Sequence, residues 1–340
     1  MNANLNRLSR FRKSCTISIP ARTSISVLDM NRFGVGIAGG GNVGIAFNAN
    51  TIINIEPYLS ENEIPTIDCN WHDSRVILIH HVIMKWHTLH SIRAGYKVEV
   101  IRANNKHIGF ASSASIQIAT WAALNGLYSF PFSESSLRKV IAEHYCEADE
   151  NNNNVTKGFT TGLSSFLGLY GGYAVIGMDT QPETHIQVPS WSVAMVTLPG
   201  IKSISFGDVE VAALTTKGPI LDSEAKLDKQ RIIYDELTPA VEGQDLPRIG
   251  RAIEHIQNIG SKLAEIEIYG DKMFTALKTL REVFDCVYMS AVGPGIVVIS
   301  TETGKELKIK LEALGFIIEW AGTTNNTGMH LIFNKQGREI

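Results

Sequence analysis

The order of apolar and polar residues near the start of the chain is typical of two strands joined by a glycine-rich turn. Residues 15–30 alternate as a half-buried strand does, and residues 51–57 have the same character. Residues 32–47, between them, are rich in glycine, which favours a turn over a helix. The pattern therefore predicts strand, turn and strand.

The next part of the chain alternates between helical and extended periodicity. Apolar residues recur at helical spacing in residues 73–95 and 115–128, and residues 96–103 between them predict a strand. Residues 133–149 predict an amphipathic helix that Ser133 or Ser135 caps. The polar run 150–155 predicts an exposed loop.

The pattern changes near Pro189. Helices are predicted within residues 222–263, at 271–285 and at 305–315, and strands at 191–199, 286–289, 295–300, 316–320 and 329–333. We expect a second α+β unit with helices on one face of a mainly antiparallel sheet. The predicted domains are residues 1–188 and 189–340.

Composition excludes several classes of protein. The chain has 340 residues, 44% of them apolar, which is enough to bury two cores. A net charge of -3 gives no footprint for nucleic acid or an anionic membrane. The four cysteines are far apart, which argues against disulfides or a zinc site, and no export signal or membrane-length apolar run is present. We expect a cytoplasmic protein.

A loop of small residues, HIGFASSAS (residues 107–115), lies between a predicted strand and a predicted helix. The first amides of a helix have no intrahelical acceptor and lie at the positive end of its dipole, so they attract phosphate. Gly109 and Ala111 would allow close approach of an anion. Ser112, Ser113 and Ser115 would add hydroxyls. The alternative is a serine-capped helix without a ligand.

The loop resembles the phosphate-binding motif of the GHMP superfamily, which is named for galactokinase, homoserine kinase, mevalonate kinase and phosphomevalonate kinase. The N-terminal strand and turn resemble the first motif of the superfamily, and residues 289–300 resemble its C-terminal glycine loop. The resemblance implies an α+β fold with a ribosomal S5 domain 2-like N-terminal domain and a ferredoxin-like C-terminal domain. The site would lie in the cleft between them.

Many GHMP kinases have an aspartate about seven residues before a glycine pair. The corresponding position here is Ser164, counted back from Gly171. A serine hydroxyl cannot replace a carboxylate as a base, which argues against sugar or mevalonate phosphorylation. Homoserine kinases also lack that carboxylate, so an ATP-dependent small-molecule kinase remains the alternative.

A closer resemblance, from about residue 17 to 300, is to the β-ribofuranosylaminobenzene 5'-phosphate synthase family. It rests on PARTSISVLDMNRFG (20–34), AGGGNVGIAF (38–47), HIGF (107–110) and residues 158–177. The resemblance implies that C1 of 5-phosphoribosyl 1-diphosphate is joined to a ring carbon of an aromatic acid, with loss of diphosphate and carbon dioxide. It also implies Mg²⁺ and a homodimer.

The resemblance also suggests roles for individual residues. Arg22 and Asp29 are the candidate catalytic residues: Arg22 would bind a carboxylate or phosphate, unless it forms a surface ion pair, and Asp29 would orient the ribose or a metal. Ser113 is the candidate Mg²⁺ ligand. The diphosphate would contact His107, Gly109, Ala111, Ser112, Ser113, Ala114 and Ser115. Other substrate contacts would be Gly40, Gly41, Asn42, Thr160, Thr161, Gly162 and Gly293.

Two departures from the family leave the acceptor open. ASSAS (111–115) replaces the usual glycine-serine-x-threonine-glutamine run, and SAVGPG (290–295) replaces a tryptophan-glycine-proline loop. Related synthases of C-nucleosides use heteroaromatic acids, so both acceptor classes remain candidates. A non-catalytic ligand-binding relative is the third hypothesis.

Two other patterns are given structural interpretations. His72, His80, His81, His87 and His90 lie in or near one predicted helix without an acidic or cysteine partner at a suitable offset, so we expect packing or surface roles. The glycine-rich turn lies between strands and does not open a helix, which argues against a dinucleotide-binding fold.

Overall fold

The structure is a computed structural model and describes residues 13–32, 34, 36–60, 62–92, 94–104, 107–148, 154–201 and 215–334. The predicted loop at 150–155 therefore lies mostly outside the described residues. The strands are β1 (Ser14–Val27), β2 (Asn42–Leu59), β3 (Ile67–Cys69), β4 (Ala94–Arg102), β5 (Cys146–Ala148), β6 (Val155–Lys157), β7 (Tyr173–Ile176), β8 (Pro182–Ile186), β9 (Ser192–Thr197), β10 (Cys286–Met289), β11 (Ile296–Ser300), β12 (Ile317–Thr323) and β13 (His330–Asn334).

The helices cover one side of the first sheet and surround the second. They are α1 (Val76–His90), α2 (Ser112–Leu127), α3 (Glu134–Glu143), α4 (Leu163–Tyr170), α5 (Lys217–Arg231), α6 (Thr238–Glu242), α7 (Leu246–Gln257), α8 (Gly260–Glu267), α9 (Asp271–Arg281) and α10 (Gly304–Ala313). A 3₁₀ turn (Met30–Arg32) follows β1, and a π-helical segment (Ile232–Leu237) joins α5 to α6. Among the described ranges, no helix combines the length and apolar character needed to cross a membrane.

The first sheet has the order β13-β1-β2-β4-β3, with β7 paired to β2 and β8 paired to β7. The 18-residue β2 serves both branches, because its first residues pair with β7 and its last ones with β4. This confirms the predicted order of strand, turn and strand, although β2 begins at Asn42, inside the predicted turn. Helix α2 is buried along its whole length against this sheet, which explains why its sequence is apolar on every side.

Several predicted helix ends differ from the structure. Helix α1 ends at His90 because Ser91 adopts a left-handed conformation with φ 51°. Helix α2 begins three residues before the predicted start, directly after the left-handed Ala111. Helix α3 ends at Glu143, and the residues after it form β5 instead of a further helical turn. Its predicted cap is confirmed, since the Ser133 side chain accepts a hydrogen bond from the Ser136 amide.

The second sheet has the order β10-β11-β9-β12 and is antiparallel throughout. Successive residues of β9 enter different cores: Val193 packs with Ile253 of α7, whereas Ala194 packs with Leu277 of α9. The prediction of helices on one face only is therefore wrong. A sheet buried on both faces has continuous apolar strands instead of alternating ones, as in β11.

The chain returns to the first sheet at its end. We predicted the strand at 329–333 for the second unit, but β13 pairs with β1, with Ser18 opposite His330. It therefore crosses the predicted domain division at residue 188. One buried core also contains residues of both sheets, among them Ile45 and Val297. The two halves consequently pack against each other through an apolar interface.

Candidate active site

The start of α2 is held in an unusual backbone conformation. Gly109 has φ 102° and Ala111 has φ 55°, and no side chain caps the helix. The amides of the first turn lack intrahelical acceptors and lie at the positive end of the helix dipole. Ser112 and Ser113 follow directly and are each 3% exposed. The loop thus presents amide and hydroxyl donors together.

The turn between β10 and β11 packs against this loop. The Ser290 hydroxyl donates a hydrogen bond of 2.7 Å to the Gly109 carbonyl, and the Ala291 amide donates one of 3.1 Å to the Ser24 carbonyl in β1. A Cβ atom on Gly293 would lie 2.7 Å from the Gly109 nitrogen, so only glycine allows this approach. Residues from both sheets therefore fix the loop.

A cavity that is partly open to solvent lies beside these loops. It brings together many of the residues predicted for the site, from β1, β2, the start of α2, the start of α4 and the β10–β11 turn. The predicted residues that line it are Arg22, Asn42, His107, Gly109, Ala111, Ser112, Ser113, Ala114, Thr160, Thr161 and Gly293.

The structure does not bring Asp29, Gly40 or Gly41 to the cavity wall. The carbonyls of Gly40 and Gly41 accept hydrogen bonds from the amides of Asp29 and Leu28. The Asp29 carboxylate is 4% exposed and accepts hydrogen bonds from Asn31 and from Lys226, whose Nζ lies 3.0 Å away. Burial opposes ionisation of Asp29, but these donors outweigh it and lower its pKa. Asp29 is thus engaged in holding the turn.

Two other predicted residues also lie outside the cavity lining. The Ser115 hydroxyl donates to the Ala111 carbonyl at 3.1 Å, inside the first turn of α2. Gly162 precedes α4 with φ 83°, and a Cβ there would lie 2.9 Å from Thr180 Cβ. Ser115 and Gly162 thus both stabilise the local backbone conformation.

Arg22 lies on the cavity wall, where its Nε donates a hydrogen bond of 2.8 Å to the Ser164 hydroxyl. Ser164 is the position at which many GHMP kinases have an aspartate, and it lines the cavity as well. Counting along the sequence therefore located a residue of the cavity. The structure places a cation and a hydroxyl here in place of a carboxylate base.

Ser112 has a distinctive environment. Its hydroxyl oxygen is buried and has no hydrogen-bond partner among the residues that the structure describes, although the residue lines the cavity. A buried hydroxyl without a partner costs about 1–3 kcal/mol. Such a cost is typical of a group whose partner is a ligand.

Glu147 and Tyr145 line the same end of the cavity, and the sequence analysis missed both. The Glu147 carboxylate accepts hydrogen bonds from the Tyr145 and Ser113 hydroxyls, while burial raises its pKa. Gln117 of α2 hydrogen-bonds both the amide and the carbonyl of Cys146, which fixes this short strand. Because the contact joins distant segments, no local signal could have revealed it.

His107 completes this end of the cavity. Its Nε2 lies 3.4 Å from the Ser113 hydroxyl oxygen. Burial, helped by the nearby Arg75 guanidinium, lowers the pKa of His107 to about 4, although the Asp73 carboxylate opposes part of the shift. His107 is therefore neutral near pH 7 and acts as a hydrogen-bonding group.

A buried ion pair also lies at the cavity wall. Lys262 Nζ donates to Glu265 at 2.7 Å and to the Ala291 carbonyl at 2.8 Å, and Glu265 lines the cavity. Both residues belong to α8, which has no motif that would have identified them from the sequence. Burial lowers the pKa of Lys262, and the Glu265 carboxylate opposes that shift.

Among the histidines of α1, His90 has a packing contact. The ring centroid of His90 lies 4.3 Å from that of Trp86, and burial lowers the pKa of His90. In the described part of the chain, no group of three or more His, Cys, Asp or Glu residues is arranged to hold a metal.

The fold is that of the GHMP kinases. The structure resembles homoserine kinase from Cytophaga hutchinsonii (TM-score 0.66, 16% identity, 94% of this chain and 98% of that one). It also resembles mevalonate diphosphate decarboxylase from Staphylococcus aureus (TM-score 0.66, 14% identity, 96% and 99%) and mevalonate kinase from Methanococcus jannaschii (TM-score 0.63, 13% identity, 92% and 98%). These likenesses confirm the predicted two-domain α+β GHMP fold.

No family model matches the chain. A curated relative is the beta-ribofuranosylphenol 5'-phosphate synthase of Archaeoglobus fulgidus, which is 24% identical over 224 residues. The match spans 61% of this chain and 65% of the relative, somewhat less than two thirds of its length. Together with the fold, this similarity supports the predicted resemblance to the GHMP superfamily.

Proposed function

We propose that the protein is a phosphoribosyl C-transferase that joins 5-phosphoribosyl 1-diphosphate to an aromatic or heteroaromatic acid. The observation that carries the proposal is the unpartnered, buried Ser112 hydroxyl at the cavity end of α2, beside the free amides of the helix start. Diphosphate supplies the acceptors that these donors lack. The similarity to a ribofuranosylphenol phosphate synthase supports this choice of chemistry.

The proposed reaction needs no added oxidant or reductant. A ring carbon of the acid bonds to C1 of the ribosyl group, and the bond from C1 to oxygen breaks with its electron pair leaving on diphosphate. The bond from the ring to the carboxyl group then breaks, its pair returns to the ring, and carbon dioxide departs. Negative charge grows on diphosphate, where the amides and hydroxyls at residues 111–113 would stabilise it.

Magnesium fits the oxygen atoms at this end of the cavity. Ser113 and Glu147 both line the cavity and are hydrogen-bonded to each other. Mg²⁺ prefers such oxygen ligands and takes only one or two of them from the protein when phosphates complete its shell. These two residues would hold the ion, which when bound would neutralise charge on the leaving group.

Arg22 would bind the carboxylate or a phosphate of a substrate in the cavity. A guanidinium suits either anion, and its hydrogen bond to Ser164 orients it. No strong base is required for loss of diphosphate, which agrees with a serine at position 164. The homodimer, the cytoplasmic location, and the absence of nucleic-acid and membrane partners stay predictions.

The second candidate is an ATP-dependent small-molecule kinase, which the resemblance to homoserine and mevalonate kinases favours. The two candidates differ in the phosphorylated substrate that they bind, 5-phosphoribosyl 1-diphosphate or ATP. Calorimetric titration with 5-phosphoribosyl 1-diphosphate and with ATP, each with Mg²⁺, should give tighter binding of the former. Tighter binding of ATP with turnover to ADP would support the kinase instead.

The proposal is tested by turnover. Incubation with 5-phosphoribosyl 1-diphosphate, Mg²⁺ and a panel of aromatic acids should release diphosphate and carbon dioxide in equal amounts with at least one acid. A matched incubation of a Ser112→Ala, Glu147→Gln double variant should release neither. Release of neither product by the unmodified protein across a broad panel would contradict the proposal.

A further inference from the structure

Asn42, the first residue of β2, has a side-chain amide of which only one end is held by protein. The residue is 4% exposed and lines the cavity. Its Oδ1 accepts a hydrogen bond of 2.8 Å from the Ser24 hydroxyl, whereas its Nδ2 donates to no protein atom among the described residues. A primary amide nitrogen has two N–H donors, so Nδ2 has capacity for an oxygen atom of a ligand.

A β-bulge in β1 accounts for the contact between Ser24 and this amide. The register of β1 against β2 shifts between Ser24 and Ser26, so that Val27 lies opposite Asn42. Bulges redirect side chains and are common next to active sites. Because the Ser24 hydroxyl donates to Oδ1, it fixes the orientation of the amide and leaves Nδ2 as the end that can reach a ligand.

Ser24 also joins Asn42 to the loop before α2. The Ser24 amide donates to the Ser290 hydroxyl at 3.3 Å, and that hydroxyl donates to the Gly109 carbonyl at 2.7 Å. The Ala291 amide donates in turn to the Ser24 carbonyl. This chain of hydrogen bonds gives Asn42 a fixed position relative to the loop that we propose binds diphosphate.

The amide of Asn42 is neutral, which distinguishes it from the guanidinium of Arg22. Arg22 and Ser24 both line the cavity and lie two residues apart on β1, a spacing that places side chains on the same face of a strand. The guanidinium suits an anionic group of a substrate. The Asn42 amide compensates no negative charge, so it suits a neutral oxygen near that anionic group.

We infer that Asn42 Nδ2 donates a hydrogen bond to the 2-hydroxyl of the ribosyl group, and that the site thereby selects ribosyl over 2-deoxyribosyl donors. This inference rests on the proposed function. In 5-phosphoribosyl 1-diphosphate the 2-hydroxyl is on the carbon next to C1 and on the same face of the ring as the diphosphate. It is therefore the neutral oxygen that a donor fixed beside the diphosphate would meet. Ser24 is a positioning residue.

The test compares binding of ribose 5-phosphate and 2-deoxyribose 5-phosphate, which differ only in the 2-hydroxyl. With Mg²⁺ and inorganic diphosphate present, calorimetry should show that the unmodified protein binds ribose 5-phosphate about 10-fold more tightly, because the deoxy sugar leaves the amide unpaired. In Asn42→Ala this preference should fall to about 2-fold or less. Affinity for 2-deoxyribose 5-phosphate should change little.

Ser24→Ala tests the positioning role. Without the Ser24 hydroxyl the amide is free to rotate, so the preference should fall to about 3-fold although Asn42 is still present. An undiminished preference in Ser24→Ala would contradict that role.

Ser26→Ala is the matched control. Ser26 is another buried serine of β1, but its hydroxyl donates to the Val27 carbonyl and the residue does not line the cavity. The control should keep the full preference for ribose 5-phosphate. A preference that survives in Asn42→Ala, or that Ser26→Ala abolishes equally, would overturn the inference.

Two further measurements keep the inference separate from folding and from the proposed function. Equal affinity of the unmodified protein for the two sugar phosphates, or binding of neither, overturns it without any variant. Turnover distinguishes the two proposals: release of diphosphate and carbon dioxide without the preference contradicts the role of Asn42 alone. A preference that depends on Asn42, without any product, contradicts the proposed function and leaves the ribose contact standing.

Discussion

Two loops of small residues differ in how their polar groups are used: the glycine-rich turn at 36–41 and the loop at 107–111, which we call the phosphate loop after its proposed role. In the glycine-rich turn, the amides of Gly36 and Gly39 donate to the carbonyls of Gly158 and Thr160. In the phosphate loop, the helix that follows begins with amides that helix geometry leaves without acceptors. A similar composition thus serves structure in one loop and offers donors to a ligand in the other.

Free hydrogen-bonding capacity, and not glycine content, therefore distinguishes a loop that can bind a ligand. The glycine-rich turn is anchored further by a buried pair, Asp222 and Lys229, which hydrogen-bond the Met30 amide and the Val27 carbonyl next to it. Several of its polar groups are thus satisfied by protein. The helix that follows the phosphate loop begins with a buried hydroxyl, that of Ser112, which has no partner in the described residues.

The largest effect should come from adding a methyl group to each loop. In Gly109→Ala the new Cβ would lie 2.5 Å from the Ser290 carbonyl oxygen at φ 102°, and in Gly41→Ala it would lie 2.7 Å from the Ile176 carbonyl oxygen at φ 61°. Both variants should lose about 2–4 kcal/mol of stability in urea unfolding. Only Gly109→Ala should also lose Mg²⁺-diphosphate affinity, by about 30-fold or more.

Calorimetry at a temperature where both glycine variants are folded checks this difference. Gly41→Ala should bind diphosphate within about 3-fold of the unmodified protein. An equal loss of affinity in both variants would show that the glycine-rich turn belongs to the binding site after all.

The two loops should also respond to acid in different pH ranges. The pKa of His107 falls from 6.5 to about 4 on folding, chiefly through burial, so the unfolded chain binds a proton that the folded protein does not. Stability should therefore fall by roughly 1–3 kcal/mol as pH drops from 6.5 to 4. Asp29 has a folded pKa below its usual 3.8, so its contribution is present above pH 3.8 and is lost only below it.

Urea unfolding at stepped pH measures both contributions without ligand. His107→Gln should flatten the stability profile between pH 6.5 and 4, and Asp29→Asn should flatten it only below pH 3.8. A His107→Gln profile that keeps the same slope in the upper range would disprove the assignment of that slope to His107.

The smallest effect should come from single hydroxyls at the start of α2. Ser112→Ala removes a buried group without a partner, so stability should stay equal or rise while Mg²⁺-diphosphate affinity falls about 10-fold. Ser115→Ala removes a hydroxyl that is bonded within the helix, so affinity should stay within about 2-fold. If both changes weaken binding alike, the hydroxyl of Ser112 is not a special contact.

Much of the fold was predictable because its signals are local. Helix α10 begins at a capping box in which Thr303 and Glu306 satisfy each other's backbone amides, and these residues are only three positions apart in the sequence. The glycine-rich turn after β1 was likewise recognisable from the sequence. The partner of β13 was not, since an alternating strand has the same pattern next to any sheet edge.

The residues of the candidate site were also predictable only in part. The phosphate loop and Ser164 were located by residue type and spacing. Glu147 and Glu265 were missed, because β5 and α8 reach the cavity only through contacts with distant segments. Asp29 was located by a motif, but its environment holds it in an ion pair with Lys226.

The sequence by itself indicated which segments form helices and strands, though not all of their ends, because caps, glycines and apolar periodicity act over a few residues. It also indicated the phosphate loop, because a run of small residues before a helix leaves amides free. Only the tertiary structure decided which of two similar loops lies open to a cavity and which carboxylates line it. Burial and hydrogen-bond satisfaction depend on segments that are far apart in the chain, and a local pattern does not contain them.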